Sequence, residues 1–162
     1  FVSRNSMKDL AINHDVVKPT AIEAFTYYVD PETMEIKVVM IEEFRSALGR
    51  YVNSFVAGLI ENNEDVNKAI EREVYEEVGG KVEKITLLQD YPLSMCAGMC
   101  DEANYMAVVK LSSIGKQHLE ATEDIKIKVY SLDELSLLIK NNQIYLTASG
   151  LLGYLSILSI VG

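Results

Sequence analysis

The stretch EREVYEEVGG, residues 71–80, decides how this chain is read. Four carboxylates, Glu71, Glu73, Glu76 and Glu77, stand within seven residues, with Arg72 among them. From upstream into this stretch, Val66, Ile70, Val74 and Val78 recur every fourth residue. That spacing predicts a helix from about 65 to 78 with one apolar stripe, and Gly79 and Gly80 stop it. On such a helix Glu73, Glu76 and Glu77 share one flank beside the stripe, while Glu71 falls off it and reads as an ordinary surface glutamate. Like charges at this spacing cost about 0.2–0.5 kcal/mol per pair. Two readings follow: a solvated helix face, or a set of oxygen ligands for a hard divalent cation such as magnesium.

The chain has 162 residues, enough for one domain with a real core, and an ordinary balance of 49% hydrophobic and 24% charged residues. Its net charge of −9 argues against nucleic acid or an anionic membrane as partner. A phosphate substrate would need a bound cation to mediate. Two cysteines, Cys96 and Cys100, give no disulfide framework. Their C-x3-C spacing without a nearby histidine is a poor zinc signal, and small, semi-buried loop residues are the expectation. The simplest location is a reducing, cytoplasmic one, with no secretory leader evident. The chain starts at Phe1 rather than Met, as a fragment or trimmed chain would. The apolar tail YLTASGLLGYLSILSIVG carries serines, glycines and no basic flank, so a docked helix is expected rather than a membrane span. His14 and His118 stand in polar contexts and read as surface residues.

Along the chain, AIEAFTYYVD and IKVVMIEEF read as a hairpin around the turn DPET. YVNSFVAG reads as one short strand ending at Gly58, followed by the glutamate helix. KVEKITLLQDY and NYMAVVKL are two further strands, joined by the long loop PLSMCAGMCDEA, and IKIKVYSL alternates as a half-buried strand. SLDELSLLIKNN opens with a capping-box spacing and is a helix. The order lacks strict βαβ alternation, which argues for a mixed sheet with helices on its faces, α/β or α+β.

Gly58, then five residues, Glu64, then seven, then REVYEEVG from Arg72 to Gly79, resembles the Nudix box, G-x5-E-x7-R-E-U-x-E-E-x-G-U with U apolar. The last apolar position holds Gly80 instead, and weaker packing after the helix is expected there. The resemblance implies an α/β/α sandwich with a mixed sheet, preceded here by a short N-terminal β segment over about residues 1–20. It implies a hydrolase of a nucleoside diphosphate linked to another moiety, working with Mg2+ or Mn2+. It makes Glu73 and Glu77 the principal metal ligands, Glu76 a further ligand or local base, and the carbonyl of Ala57 a ligand. It has Arg72 orient Glu73, and Glu64 hold the loop to the helix.

Around the box, FR at 44–45 and AGLIE at 57–61 resemble the approach seen in ADP-ribose pyrophosphatases and related nucleotide-sugar hydrolases. CAGMCDEA, from Cys96, resembles the loop after the box in that subgroup, and EDI at 123–125 its acidic loop. This implies substrate contacts from Arg45, Arg50, Gly98, Met99 and Glu102, and a general base at Glu123 in preference to Glu120. The reaction implied is magnesium-dependent cleavage of ADP-ribose or a related nucleotide sugar, giving AMP and a sugar phosphate. The alternatives are another nucleotide substrate (an oxidised nucleoside triphosphate, a dinucleoside polyphosphate or a coenzyme) and a non-catalytic sensor of ADP-ribose-like ligands. A homodimer is also implied; in such dimers an aromatic can be lent to the partner, a role open to Phe25, Tyr27 or Tyr28, but plain core packing is the expectation for them.

Overall fold

The structure is a computed structural model that describes residues 19–121 and 123–162. The N-terminal β segment expected before residue 19 and His14 lie outside the described residues.

Two strands, β1 (Ala21–Val29) and β2 (Ile36–Arg45), form the expected hairpin, closed by the Asp30 side chain accepting from the Glu32 and Thr33 amides. They pair only from Thr26 to Val29 on β1 and from Ile36 to Val39 on β2, and then diverge. The expected single strand YVNSFVAG enters this fork and divides at Phe55. Its first part, β3 (Arg50–Ser54), pairs with β2, and its second, β4 (Val56–Leu59), pairs with β1. The break was not legible because both halves are apolar and β-prone; what separates them is the change of partner. Helix α1 (Val66–Val78) follows, then β5 (Lys81–Leu87), a two-residue β6 (Leu93–Ser94), β7 (Ala103–Ser113), β8 (Ile125–Ser131), α2 (Leu132–Lys140) and α3 (Ala148–Val161). β1 and β7 run parallel while the remaining pairs are antiparallel, so the sheet is mixed.

The period-2 alternation of β1 separates two cores. Ile22 and Ala24 face α1, with Val39 and Ile41 of β2, Ala107 and Val109 of β7, and Ile70, Val74 and Val78 of the helix stripe. Phe25 and Tyr27 face the other side, with Val38, Met40, Met106 and Val108, under α2 and α3. The result is the helix–sheet–helix sandwich. Phe25 and Tyr27 are therefore core residues, as plain packing required. The apolar tail is a docked helix, and no helix among the described residues is long and apolar enough to cross a membrane.

α1 is fixed at both ends. Asp65 caps its start by accepting from the Asn67 and Lys68 amides. Gly79, at φ 60°, ends it with its N–H on the Tyr75 carbonyl, while the Gly80 N–H reaches the Val74 carbonyl. Gly80 does not loosen the packing there. A Cβ at Gly80 would stand 2.6 Å from Val74 Cγ1 and 3.3 Å from Leu111 Cδ1, so the space of the missing side chain is already filled.

α3 lies close to the sheet through Gly153, where a Cβ would stand 2.5 Å from Phe55 Cε2 and 2.6 Å from Phe25 Cδ1. Those two rings are packed edge to face at 5.3 Å and have no room to retreat. Gly153→Leu should cost about 1–3 kcal/mol through overpacking. For a chain of this size that lowers the melting temperature by roughly 2–4 °C per kcal/mol. Thermal unfolding followed by circular dichroism checks it; an unchanged melting temperature would show that α3 does not rest on the phenylalanine pair.

Candidate active site

β4 runs antiparallel to the start of β1, and the chain then turns through 60–65 into α1. This sets Ala57 and Gly58 against the flank of the helix that carries Glu73 and Glu77. A Cβ at Gly58 would overlap the Glu73 carboxylate, so a larger residue there would displace that carboxylate from its present position. Glu73 is 9% exposed and Glu77 4% exposed, and Glu76 is half-buried beside them. Glu71 points away and pairs with Lys68.

Arg72 is the hub of this flank. Its Nε and Nη2 donate to the two oxygens of Glu64 at 3.0 and 2.9 Å, a bidentate fork. Nη1 donates to Glu73 Oε1 at 2.6 Å and to Glu76 Oε2 at 3.3 Å, and Nη2 also reaches the Leu59 carbonyl. Glu64 in turn accepts from the Glu61 amide. One guanidinium thus joins the turn before α1 to the acid flank. The Arg72 fork holds the Glu64 carboxyl below the usual carboxylate range, and the same bonds keep Arg72 firmly protonated.

Glu77 is the most strained acid of the set. Its Oε2 accepts a long bond, 3.4 Å, from the Ala57 amide. Burial first, and then the charge on Glu73, push its carboxyl up to about 9. Glu73 is also raised, chiefly by burial, with the Arg72 bond opposing. Two neighbouring carboxylates out of water repel each other, and a divalent cation is the natural remedy. The donor set fits one: hard oxygens from Glu73, Glu76 and Glu77, with Ala57 and Gly58 in the wall beside them. Among the described residues, no three acid, histidine or cysteine side chains already converge on one ion-sized point, since Glu73 is turned to Arg72.

Two hollows meet at Gly58. The first, about 370 Å3, is lined by Ala57, Gly58, Arg72, Glu73, Glu76, Glu120 and Glu123, among others. The second, about 270 Å3, shares Ala57, Gly58 and Leu59 with it and adds Ala21, Glu23, Arg45, Met95, Glu102 and Asn104. Glu123 lies close enough for its charge to raise both Glu73 and Glu77. It also accepts from the Glu120 amide at 2.9 Å, so the two acids of this loop are linked.

The structure thus brings Ala57, Arg72, Glu73, Glu76, Glu77 and Glu123 together, and places Arg45 and Glu102 in the adjoining hollow. Arg45 also pairs with Glu43 at 2.9 Å. The other proposed substrate contacts line neither hollow. Arg50 lays its guanidinium over the Tyr145 ring at 4.7 Å, and Gly98 and Met99 sit in an exposed turn. Cys96 is exposed in that turn, against the semi-buried position expected, and both cysteines are free.

Other residues of the site were not read from the sequence. Glu23 and Asn104 lie in strands whose apolar neighbours mask them; their signal is a charged or amide residue inside a run of buried ones. The segment 115–118 closes the C-terminus of α1. The His118 amide donates to the Glu76 carbonyl, and Gln117 Nε2 to the Glu77 carbonyl at 2.7 Å and the Ile125 carbonyl at 3.1 Å. His118 is exposed, and its ring stacks on Tyr75 with centroids 4.3 Å apart. Gln117 therefore clamps both feet of the acidic loop to the helix that carries Glu77.

Comparison with known proteins agrees with this geometry. The family model of the NUDIX domain matches residues 22–148. An ADP-ribose pyrophosphatase of Bacillus subtilis (strain 168) is 26% identical over 115 residues, which is 70% of this chain and 61% of that protein. A methanol dehydrogenase activator of Bacillus methanolicus is 31% identical over 117 residues, again 70% of this chain and 61% of that protein. The matched region spans about three fifths of the length of either relative.

Two outcomes follow from the site. In the metal-free protein, Glu77 holds a proton between its unfolded value near 4.5 and about 9, where the unfolded chain releases it. The folded state then binds more protons, so this group's contribution to stability is full below 4.5 and is lost as pH rises to about 9. Glu77→Gln should remove that loss and melt above the wild type at pH 8, but not at pH 4, in EDTA. Equal melting temperatures at pH 8 would contradict it. Gln117→Ala should raise amide hydrogen exchange across residues 118–124 while the exchange of β1 and β7 stays unchanged; unaltered exchange in the loop would show that the clamp does not hold it.

Proposed function

The chain belongs to the NUDIX domain family, and we propose that it hydrolyses the pyrophosphate bond of ADP-ribose or a related nucleoside diphosphate sugar, using Mg2+. Members of this family work with a divalent metal. The observation that carries the reading is the joining of two hollows at Gly58, one walled by carboxylates and the other holding Arg45, Glu102 and Glu23. A diphosphate spans such a junction, with its charge at the acid flank and its sugar in the neighbouring hollow. The similarity to an ADP-ribose pyrophosphatase supports the same choice, whereas the similarity to a dehydrogenase activator names no substrate.

Glu73, Glu76, Glu77 and the Ala57 carbonyl would hold Mg2+, with Mn2+ as the substitute that the same hard oxygens accept. When bound, the ion supplies the positive charge that a chain of net charge −9 lacks, and it acidifies water at the site. Arg72 keeps the Glu73 carboxylate turned toward the cleft wall and ties that wall to Glu64. Glu123 takes the proton of the attacking water as the new P–O bond forms, and the bond from phosphorus to the bridging oxygen breaks. The bridging oxygen departs with the other phosphate, so the products are a nucleoside monophosphate and a sugar phosphate. Arg45, in the second hollow, would bind a phosphate oxygen, and Glu102 would accept from a sugar hydroxyl.

With ADP-ribose and MgCl2, the wild type should release AMP and ribose 5-phosphate in equal amounts, and EDTA should stop it. Outer-shell changes around metal ligands cost about 10–100-fold, so loss of a ligand in Glu77→Gln should cost at least as much, with circular dichroism unchanged. Chromatography of the products reads both. Wild-type turnover in Glu77→Gln, or tight ADP-ribose binding with no AMP formed, would sink the proposal.

A further inference from the structure

β1 contains a seven-residue buried run, Ala21 to Tyr27, and Glu23 stands in the middle of it. Its exposure is 6%, and that of Asn104 on β7 is 3%. The parallel register sets Ala21 opposite Asn104 and Glu23 opposite Met106, so Glu23 and Asn104 are diagonal neighbours on one face of the sheet. The antiparallel register on the other edge sets Glu23 opposite Ala57, one residue from Gly58. Both side chains line the second hollow.

The pair is not fully satisfied. Asn104 Nδ2 donates to Glu23 Oε1 at 3.4 Å, a long bond. Asn104 Oδ1 has no hydrogen-bond partner among the described residues. Turning the amide over would leave its other end unspent instead. Burial pushes the Glu23 carboxyl above the usual carboxylate range, against hydrogen bonds from Ser149 and Asn104. A buried polar group left without a partner costs about 1–3 kcal/mol. An amide oxygen kept in that state beside a buried acid, in the hollow that adjoins the acidic cleft, calls for a ligand that completes the pair.

The hollow's polar groups identify the ligand. Glu23, Glu102 and Asn104 Oδ1 are acceptors, and Arg45 is a cation at the rim. Acceptors of this kind suit adjacent hydroxyls, and the arginine suits a phosphate on the same molecule. A purine edge alternates donors and acceptors and favours an aromatic platform, and among the described residues no aromatic side chain lines this hollow. We propose that Glu23 and Asn104 form a specificity-determining pair that accepts hydrogen bonds from the vicinal hydroxyls of a pentose phosphate, the sugar half of the substrate. The assignment rests on the diphosphate-sugar reading above and narrows it. It selects substrates whose second moiety carries a free vicinal diol over those without one.

The test is calorimetric and independent of turnover. D-ribose 5-phosphate and 2-deoxy-D-ribose 5-phosphate are titrated in Mg2+ into the wild type, Glu23→Gln and Asn104→Ala, with AMP as the control ligand. The wild type should bind the ribose compound at least about tenfold more tightly than the deoxy compound. Each variant should lose that preference while its AMP affinity holds. A wild type that binds no ribose 5-phosphate, or does not distinguish the two sugars, overturns the pair, as do variants that keep the preference. Should Glu23→Gln fail to fold, the wild-type comparison and Asn104→Ala decide. A wild type that selects ribose 5-phosphate yet cleaves no ADP-ribose would sink the proposed reaction and leave the pair standing. Cleavage of ADP-ribose with no loss of selectivity in the variants would do the reverse.

Discussion

The repulsion between two carboxylates buried four residues apart on α1 is the constraint around which this structure is arranged. Glu73 and Glu77 are held out of water by the same packing that buries Ile70, Val74 and Val78. Each of those apolar side chains contributes about 1.5–3 kcal/mol when fully buried. That stabilisation exceeds the few tenths that a like-charge pair costs on an exposed helix, but the penalty grows once water is removed. The fold answers it locally with Arg72 on Glu73 and the Ala57 amide on Glu77. The first bond is short and the second long, so Glu77 keeps an unmet demand for a cation.

The divided strand is what allows the arrangement. Because β1 and β2 separate beyond Val39, β3 and β4 can enter the fork and bring Gly58 up to the helix flank. A straight hairpin partner would have carried the chain past the helix at the spacing of ordinary side chains. The close approach then needs a residue without Cβ, and the turn that follows needs the Arg72–Glu64 fork to hold it. Strand divergence, glycine and ion pair are three parts of one solution to bringing the β4 backbone beside the carboxylates of α1.

These consequences differ in how far the sequence shows them. The helix, its stripe, its glycine stop and its acid flank are periodic, and all of them were legible. So was the hairpin, through Asp30 and Pro31, and the docked C-terminal helix, through its serines and glycines. The break at Phe55 was not, since it depends on which strand lies alongside and no local residue marks it. Gly80 misled for a related reason: an apolar position without a side chain suggests a gap, yet Val74 and Leu111 occupy that space. The Gln117 clamp depends on a carbonyl forty positions away in the chain, and nothing in residues 114–118 announces it. The surroundings of Arg50 likewise depend on a distant segment. Its place near a strand end resembled that of Arg45, but the ring of Tyr145, brought close by the β3 bridge to Leu146, takes its guanidinium.

Charge gives the last step of the argument. A chain with 24 acidic and 15 basic residues repels a phosphate compound at long range. Around the cleft the excess is sharper, since Glu61, Glu73, Glu76, Glu120 and Glu123 line it with Arg72, which is already committed to Glu64 and Glu73. Such a surface cannot receive a diphosphate as it stands, yet every one of these acids attracts a divalent cation. A cation held there would reverse the local field, and on the proposed function the acids that would exclude the substrate would fix the charge that admits it. The acidity of the chain and the activity proposed for it are therefore not in conflict. On the proposed function, the same carboxylates would make phosphate binding conditional on metal, and substrate affinity would follow metal occupancy.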